Sequence, residues 1–205
     1  MSKKDGIVIG NHYDKYNTRN PVARRMVAGF DRSLSELVEH AAPKSIHEVG
    51  CGEGYWSLRF LGKGIPVRGT DFSRDVIQIA KNNAASEGRS ADIFEVKSIY
   101  DLDPAVDSAD VVLCCEVLEH LEEPEKALER LMAISRRELI LSVPNEPLWR
   151  ILNVIRGSYL RDWGNTPGHL NHWSPGKFKK FISSRFRVLE SRRPLPWTML
   201  RCVPK

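Results

Sequence analysis

The chain has 205 residues, 41% hydrophobic and 28% charged, which suits one domain (1–205) with a sizeable core and excludes a disordered or fibrous polypeptide. It has no apolar run of about 18 residues, so no spanning helix is expected; MSKKDGIVIGNHYDKY lacks the apolar core of a secretory signal, so a cytoplasmic protein is expected. The net charge of +5 is uneven: residues 136–205 hold 14 Lys and Arg against 4 Asp and Glu, which suits an anionic small molecule, a membrane surface, a nucleic acid or plain solvation.

Residues 1–20 are polar, and Asn11, His12, Tyr13 and Tyr16 are placed to fold over a ligand as a lid. Asn20-Pro21 starts a helix reaching about His40, with Val22, Met26, Phe30, Leu34 and Leu37 on its apolar face. Ser45 to Gly54 (SIHEVGCGEG) is a short buried strand breaking into a glycine-rich turn, and Tyr55 to Leu61 is the helix that follows. Glycines at 50, 52 and 54 permit positive φ and a close backbone approach to a ligand. Ile65 to Thr70 reads as a second strand ending at Asp71, and Ser73 caps a helix with Val76, Ile77 and Ala80 inward. Asp92 to Val96 is a third strand, followed by a loop over Lys97 to Leu102. Ala109 to Cys115 is a fourth strand, apolar on both faces, as a parallel sheet demands. Pro124 opens a helix, and Glu138 to Val143 is a fifth strand. Residues 144–173 form a cap or substrate insertion, with the apolar Leu148 to Leu160 either covering the site or resting on a membrane. Ser174-Pro175 starts the last helix, and Phe186 to Glu190 with Trp197 to Val203 make a closing antiparallel pair. Strands alternating with helices at this spacing predict an open, mainly parallel α/β sheet with helices on both faces.

In such a sheet the ligand sits at the carboxyl ends of the strands. The glycine turn, with Asp71 seventeen residues beyond Gly54 to accept bonds from ribose hydroxyls, points to an adenosine-containing cofactor. Ser98-Ile99 suits an adenine edge and face, and Cys114-Cys115-Glu116 closes over the middle of the ligand. Cys51, Cys114, Cys115 and Cys202 include no C-x-x-C pair and are expected to be reduced, mostly buried thiols, with Cys51 and Cys114 not nucleophiles. Glu116, Glu119 and His120 bring two carboxylates and an imidazole into five residues. Three readings stay open: ligation of Mg²⁺ or a similar divalent cation, a metal-free base at His120, or a structural role. His169 and His172 are candidates for acceptor contact, and Trp149, Trp163 and Trp173 for an apolar acceptor pocket.

With HEVGCGEG, GTDFS, ADVVLCCEVLEHLEEPEKAL and ELILSVPN in this order, the chain resembles the class I S-adenosylmethionine-dependent methyltransferases over Val22 to Asn145. The resemblance implies a Rossmann-like, seven-stranded sheet and S-adenosylmethionine as cofactor. Glu48 and the Gly50, Cys51, Gly52, Gly54 turn would hold its methionine part and Asp71 its ribose. Phe72 would lie against the adenine, and Tyr13 or Tyr16 would cover the cofactor from the N-terminal side. Ser98 stands where the family often has an aspartate, and Cys115 and Glu116 flank the cofactor. The E-x-x-E-H string is similar to that of ubiquinone-pathway O-methyltransferases and also to that of small-RNA 3′-end 2′-O-methyltransferases; in the latter a later histidine completes a metal site, which would make His169 and His172 candidates for that further ligand. The implied reaction is methyl transfer to an oxygen of a small or lipid-like acceptor; the Leu148–Leu160 stretch and the basic C-terminal third suggest an amphiphilic or anionic one and leave peripheral membrane contact open. An RNA acceptor is the alternative, disfavoured by the lack of an added RNA-binding module. A nicotinamide-dependent oxidoreductase and a non-catalytic binding protein are alternatives of other classes.

Overall fold

Asn20 opens the first helix. Its Oδ1 accepts from Val22 N (2.9 Å) and Ala23 N (3.2 Å), capping α1, Pro21–Ala41. The computed structural model describes residues 3–4, 7–8, 20–155, 157, 159 and 162–205; the lid residues Asn11, His12, Tyr13 and Tyr16 lie outside them. Helix α1 ends at Ala42 in the left-handed conformation, one residue before Pro43. Phe30, Leu34, Leu37, Val38 and Ala41 form its buried stripe.

The elements that follow are β1 (Ile46–Val49), α2 (Tyr55–Gly62), β2 (Val67–Asp71), α3 (Arg74–Ser86) and β3 (Phe94–Val96). A short α4 (Pro104–Asp107), then β4 (Ala109–Cys115), α5 (Pro124–Ile134) and β5 (Ser135–Pro144) come next. Last are α6 (Leu148–Ile155), α7 (Pro175–Ile182), β6 (Phe186–Arg192) and β7 (Trp197–Pro204). The seven strands form one sheet in the order β3-β2-β1-β4-β5-β7-β6. Strand β7 is antiparallel to both its neighbours, and the other pairings are parallel. Lys3–Lys4 and Ile7–Val8 make a separate two-residue antiparallel pair.

The sheet is buried on both sides, as the apolar run of β4 requires. Val112 and Cys114 pack with α5 and α7 residues such as Leu128 and Phe178; Val111 and Leu113 pack with Leu34 and Leu37 of α1 and Phe60 of α2. Strand boundaries differ from the sequence reading where side chains cap the chain. Ser90 accepts from Asp92 N (3.1 Å) and turns Ala91–Ile93 into a 3-10 helix, so β3 starts at Phe94. Asp103 accepts from Ala105 N (2.9 Å) and, with Pro104, starts the unforeseen α4. Strand β5 runs straight out of α5 without a loop. One edge of the sheet is the three-residue β3, and the other is β6, whose register shifts between Val188 and Glu190.

From central β1 the chain moves outward through β2 and β3, then returns to place β4 on the other side of β1. This reversal makes the carboxyl ends of β1 and β4 the switch point where a crevice forms. Behind it, the buried Asp107 carboxylate accepts from Lys97 Nζ (2.9 Å) and Asp103 N (2.7 Å), and pairs with Arg68 (3.0 Å). Burial acts to raise its pKa, but the Asp103 amide, Lys97 and Arg68 together hold it below the usual carboxylate value. Its contribution is complete above the unfolded-state value of about 3.8 and is lost as pH falls through the folded value. Asp107→Asn is expected to remove about 3 kcal/mol at neutral pH, because Lys97 and Arg68 lose their anion. The difference from wild type should shrink when urea unfolding is repeated near pH ~3.

Candidate functional site

The glycine turn is built by hydrogen bonds to the next strand. Gly50 N and Cys51 N both donate to Thr70 O, at 2.7 and 3.0 Å. Gly50, Gly52 and Gly54 have φ of 75°, 55° and 81°. A Cβ on Gly50 would lie 2.2 Å from Val117 Cγ2, and one on Gly54 2.5 Å from Phe94 Cζ. A Cβ on Gly52 would meet nothing within 4 Å, so the turn has one open side, and that side faces a cavity of about 360 Å³.

This cavity brings together most of the residues singled out from the sequence. Glu48, Gly50, Cys51 and Gly52 line it on the β1 side, and Asp71, Phe72, Ser98 and Ile99 on the β2 side. Cys115, Glu116 and His120 line it on the β4 side. Gly54 is not in its wall; it packs behind the turn against Phe94 and caps α2. Glu48 is buried and accepts from Ser57 Oγ at 2.5 Å. Asp71 Oδ2 accepts from Gly52 N (3.1 Å) and Oδ1 from Ser73 N (2.9 Å). Burial pushes the Asp71 pKa up, against the opposing pull of the Ser73, Gly52 and Phe72 amides. Ser98 Oγ accepts from Tyr100 N (3.3 Å) and so caps the 3-10 turn Ile99–Asp101. Cys51 and Cys114 have thiol pKa values raised well above normal, first by burial, in line with inert thiols.

Phe30, Tyr55 and Trp56 form an aromatic part of the wall that the sequence reading missed. Phe30 counted only as core on the α1 stripe; Tyr55 and Trp56 directly follow the glycine turn, and that position was the available signal.

On the β4 side the structure rearranges the expected cluster. Glu116 has φ +60°; its Oε2 accepts from Trp197 Nε1 (2.6 Å) and its Oε1 from Ser142 Oγ (3.1 Å). Its carboxylate is therefore directed to β5 and β7, and the metal-type cluster among the described residues is Glu119, His120 and His169, with ligand atoms within 4.8 Å of one another. Glu116 is corrected out of that set, and His169 enters it. His120 bonds Gly168 O through Nδ1 (2.9 Å) and lies edge-on to His169 at 4.9 Å. His169 is buried and stacked on Trp149; burial first, then His120 and His172, lower its pKa to about 3. His172 points elsewhere, with Nδ1 3.6 Å from Glu146 Oε1. Neither His169 nor His172 lines the cavity.

Of the three tryptophans expected at an acceptor pocket, Trp149 stands between His169 and Trp197. Trp163 is 80% exposed, and Trp173 is half-buried, packing on Phe178 and Phe181 at the edge of the core. Helix α6 carries Trp149 to His169, outside the cavity wall, and buries Asn153, which donates to Gly164 O (2.8 Å) and Thr166 Oγ1 (3.1 Å). Ile151, Val154 and Ile155 face outward.

Residues 47–137 match a family model described as a methyltransferase domain. A ubiquinone biosynthesis O-methyltransferase from Idiomarina loihiensis is 29% identical over 127 residues, covering 58% of this chain and 51% of that protein. The chain spans about half the length of the curated relatives it matches. Among solved structures, the magnesium protoporphyrin IX methyltransferase of Synechocystis PCC 6803 with bound SAH has a TM-score of 0.69 at 21% identity, over 94% of this chain and 93% of that one. The methyltransferase domain of a bacterial CtHen1 has a TM-score of 0.64 at 19% identity, over 87% of this chain and 99% of that one. At these identities the structural matches speak for the fold.

Two alanine substitutions separate the roles of the turn. Gly52→Ala should cost about 1 kcal/mol of stability, from its backbone alone, yet weaken binding of S-adenosylhomocysteine about tenfold or more in calorimetry. Gly54→Ala, driven into Phe94, should lower stability by about 3 kcal/mol in urea unfolding.

Proposed function

We propose, for a chain that belongs to the class I S-adenosylmethionine-dependent methyltransferases, that it transfers a methyl group to an oxygen of a small, amphiphilic or anionic acceptor. The observation that carries this reading is a single cavity with the glycine turn and Asp71 on one side of β1 and the His120 imidazole on the other.

The residues present fit the cofactor. Gly52 leaves an open backbone face, and Asp71 keeps lone pairs for two hydroxyls beyond the amides that orient it. Glu48 and the turn are the candidates for the methionine part, and the half-exposed Phe72 for the adenine face. When bound, S-adenosylmethionine supplies an electrophilic methyl on a sulfonium. The chain supplies alignment, charge and a base. Phe30, Tyr55 and Trp56 supply an aromatic stretch of wall, of a kind that favours a cation. Holding donor and acceptor in line contributes roughly 7–11 kcal/mol. An acceptor hydroxyl with a pKa of ~10 must lose its proton near neutral pH, and His120 is the base in reach of the cavity.

A second reading of the same imidazole is favoured by the Glu119, His120 and His169 cluster. One carboxylate and two imidazoles suit Mn²⁺ or Zn²⁺ better than the oxygen-preferring Mg²⁺. Such an ion would acidify an acceptor oxygen, and His120 would then be a ligand.

The outward face of α6, with Ile151, Val154, Ile155 and the neighbouring Trp163, supports an amphiphilic acceptor met at a lipid surface. Among the described residues no helix is long and apolar enough to cross a membrane, so that contact would be peripheral.

Calorimetry should show micromolar binding of S-adenosylhomocysteine, lost in Asp71→Ala; no binding to the wild type overturns the reading. His120→Asn should keep that affinity and lose methyl transfer to a panel of phenols and carboxylates. On the metal reading, plasma mass spectrometry finds about one Mn or Zn per chain, lost in His169→Ala; activity indifferent to EDTA sinks it. Phosphatidylglycerol vesicles should co-sediment the wild type but not Ile151→Asp/Ile155→Asp, and equal sedimentation removes the membrane contact.

A further inference from the structure

The turn that carries His120 is joined to the 168–171 loop by five hydrogen bonds. Leu170 N and Asn171 N donate to Glu119 O, at 2.8 and 3.0 Å. The Asn171 side-chain amide donates to Leu118 O (3.1 Å) and Leu121 O (2.6 Å), on either side of Glu119 and His120. The fifth is the bond between His120 Nδ1 and Gly168 O, at 2.9 Å. One sp² nitrogen with two hydrogens thus spans the whole 3-10 turn Leu118–His120 and its cap at Leu121.

A carbonyl oxygen only accepts, so the imidazole nitrogen facing Gly168 carries the proton. In neutral His120 the lone pair is then on Nε2. A histidine free in water prefers the opposite tautomer, with the proton on Nε2. We propose that Asn171 is a positioning residue: its amide clamps the loop onto the turn, so that the Gly168 carbonyl fixes His120 in the Nδ1–H tautomer with a basic Nε2. The catalytic consequence rests on His120 being the reacting imidazole, as base or as ligand; the tautomer itself does not.

The choice of asparagine follows from the geometry. Aspartate has the same shape but no hydrogen to donate, and it sets a carboxylate against two carbonyl oxygens. Glutamine carries the amide one methylene further than the two carbonyls allow. Asn171 lies 50 residues from Leu121 and outside the cavity wall, and neither spacing nor residue type marks it in the sequence.

The test is two-bond ¹H–¹⁵N correlation on ¹⁵N-histidine protein treated with EDTA, near pH ~8 where an ordinary imidazole is neutral, with His120→Asn assigning the signal. The wild type should show His120 as the Nδ1–H tautomer. In Asn171→Asp the Nε2–H form should become the larger population, while S-adenosylhomocysteine affinity stays within about threefold and methyl transfer to the phenol panel falls about tenfold or more. A wild-type His120 in the Nε2–H form, or an aspartate variant with the wild-type tautomer, overturns the proposal. Should Asn171→Asp fail to fold, Asn171→Ala is read in the same way. A wild type with the Nδ1–H tautomer that binds no S-adenosylhomocysteine counts against the methyltransferase reading and leaves this one standing.

Discussion

Two consecutive amides, Gly50 and Cys51, converge on the one carbonyl of Thr70, and the rest of the site is arranged around that convergence. Backbone can bend this sharply at a strand end only with positive φ, so glycine is required where Val117 and Phe94 also crowd the turn. The next residue after Thr70 is Asp71, whose carboxylate reaches back to Gly52 N and closes a ring between the ends of β1 and β2. Val117, beyond the end of β4, fills the third side. Three strand ends are thereby locked together with a pocket between them, and the pocket is a by-product of sheet order as much as of the glycines.

The other half of the site is assembled differently. Glu116 takes a left-handed backbone that costs a non-glycine residue about 1–2 kcal/mol. Bonds from Trp197 and Ser142 to its carboxylate offset that cost. The twist separates Glu116 from Glu119 and His120 although they are neighbours in sequence. His169 takes the vacated position because the loop after α6 folds back on the 118–121 turn. The aromatic chain from Phe30 through Trp197 to Trp149 then ties α1, β7 and α6 together.

What the sequence shows and what it hides divides along the same line. The glycine turn, Asp71, the Ser73 and Asn20 caps and the buried run of β4 are legible because each is a local pattern acting on its own backbone. Ser98 is legible as a site residue, but its hydroxyl is engaged in capping the turn after it. The direction of Glu116 is not legible, since it depends on a tryptophan 81 positions away in a strand whose register no local pattern states. Trp149, Trp163 and Trp173 are equivalent as letters; packing alone sets the first between His169 and Trp197, the second in solvent and the third against the edge of the core. The pairing of His169, rather than His172, with His120 has the same cause, because only folding decides which side of an irregular loop faces inward.

The two borders of the sheet bear on how the molecule behaves in a crowd. Strand β3 offers three residues, and its Glu95 is tied sideways to Arg68. Strand β6 is longer, but the slip between Val188 and Glu190 interrupts its ladder, and Arg187, Glu190 and Arg192 charge its length. Neither border presents a flat, unbroken row of donors and acceptors on which another chain could template a strand. At both borders of the seven-stranded sheet, edge-to-edge addition of another strand is therefore disfavoured by the fold itself.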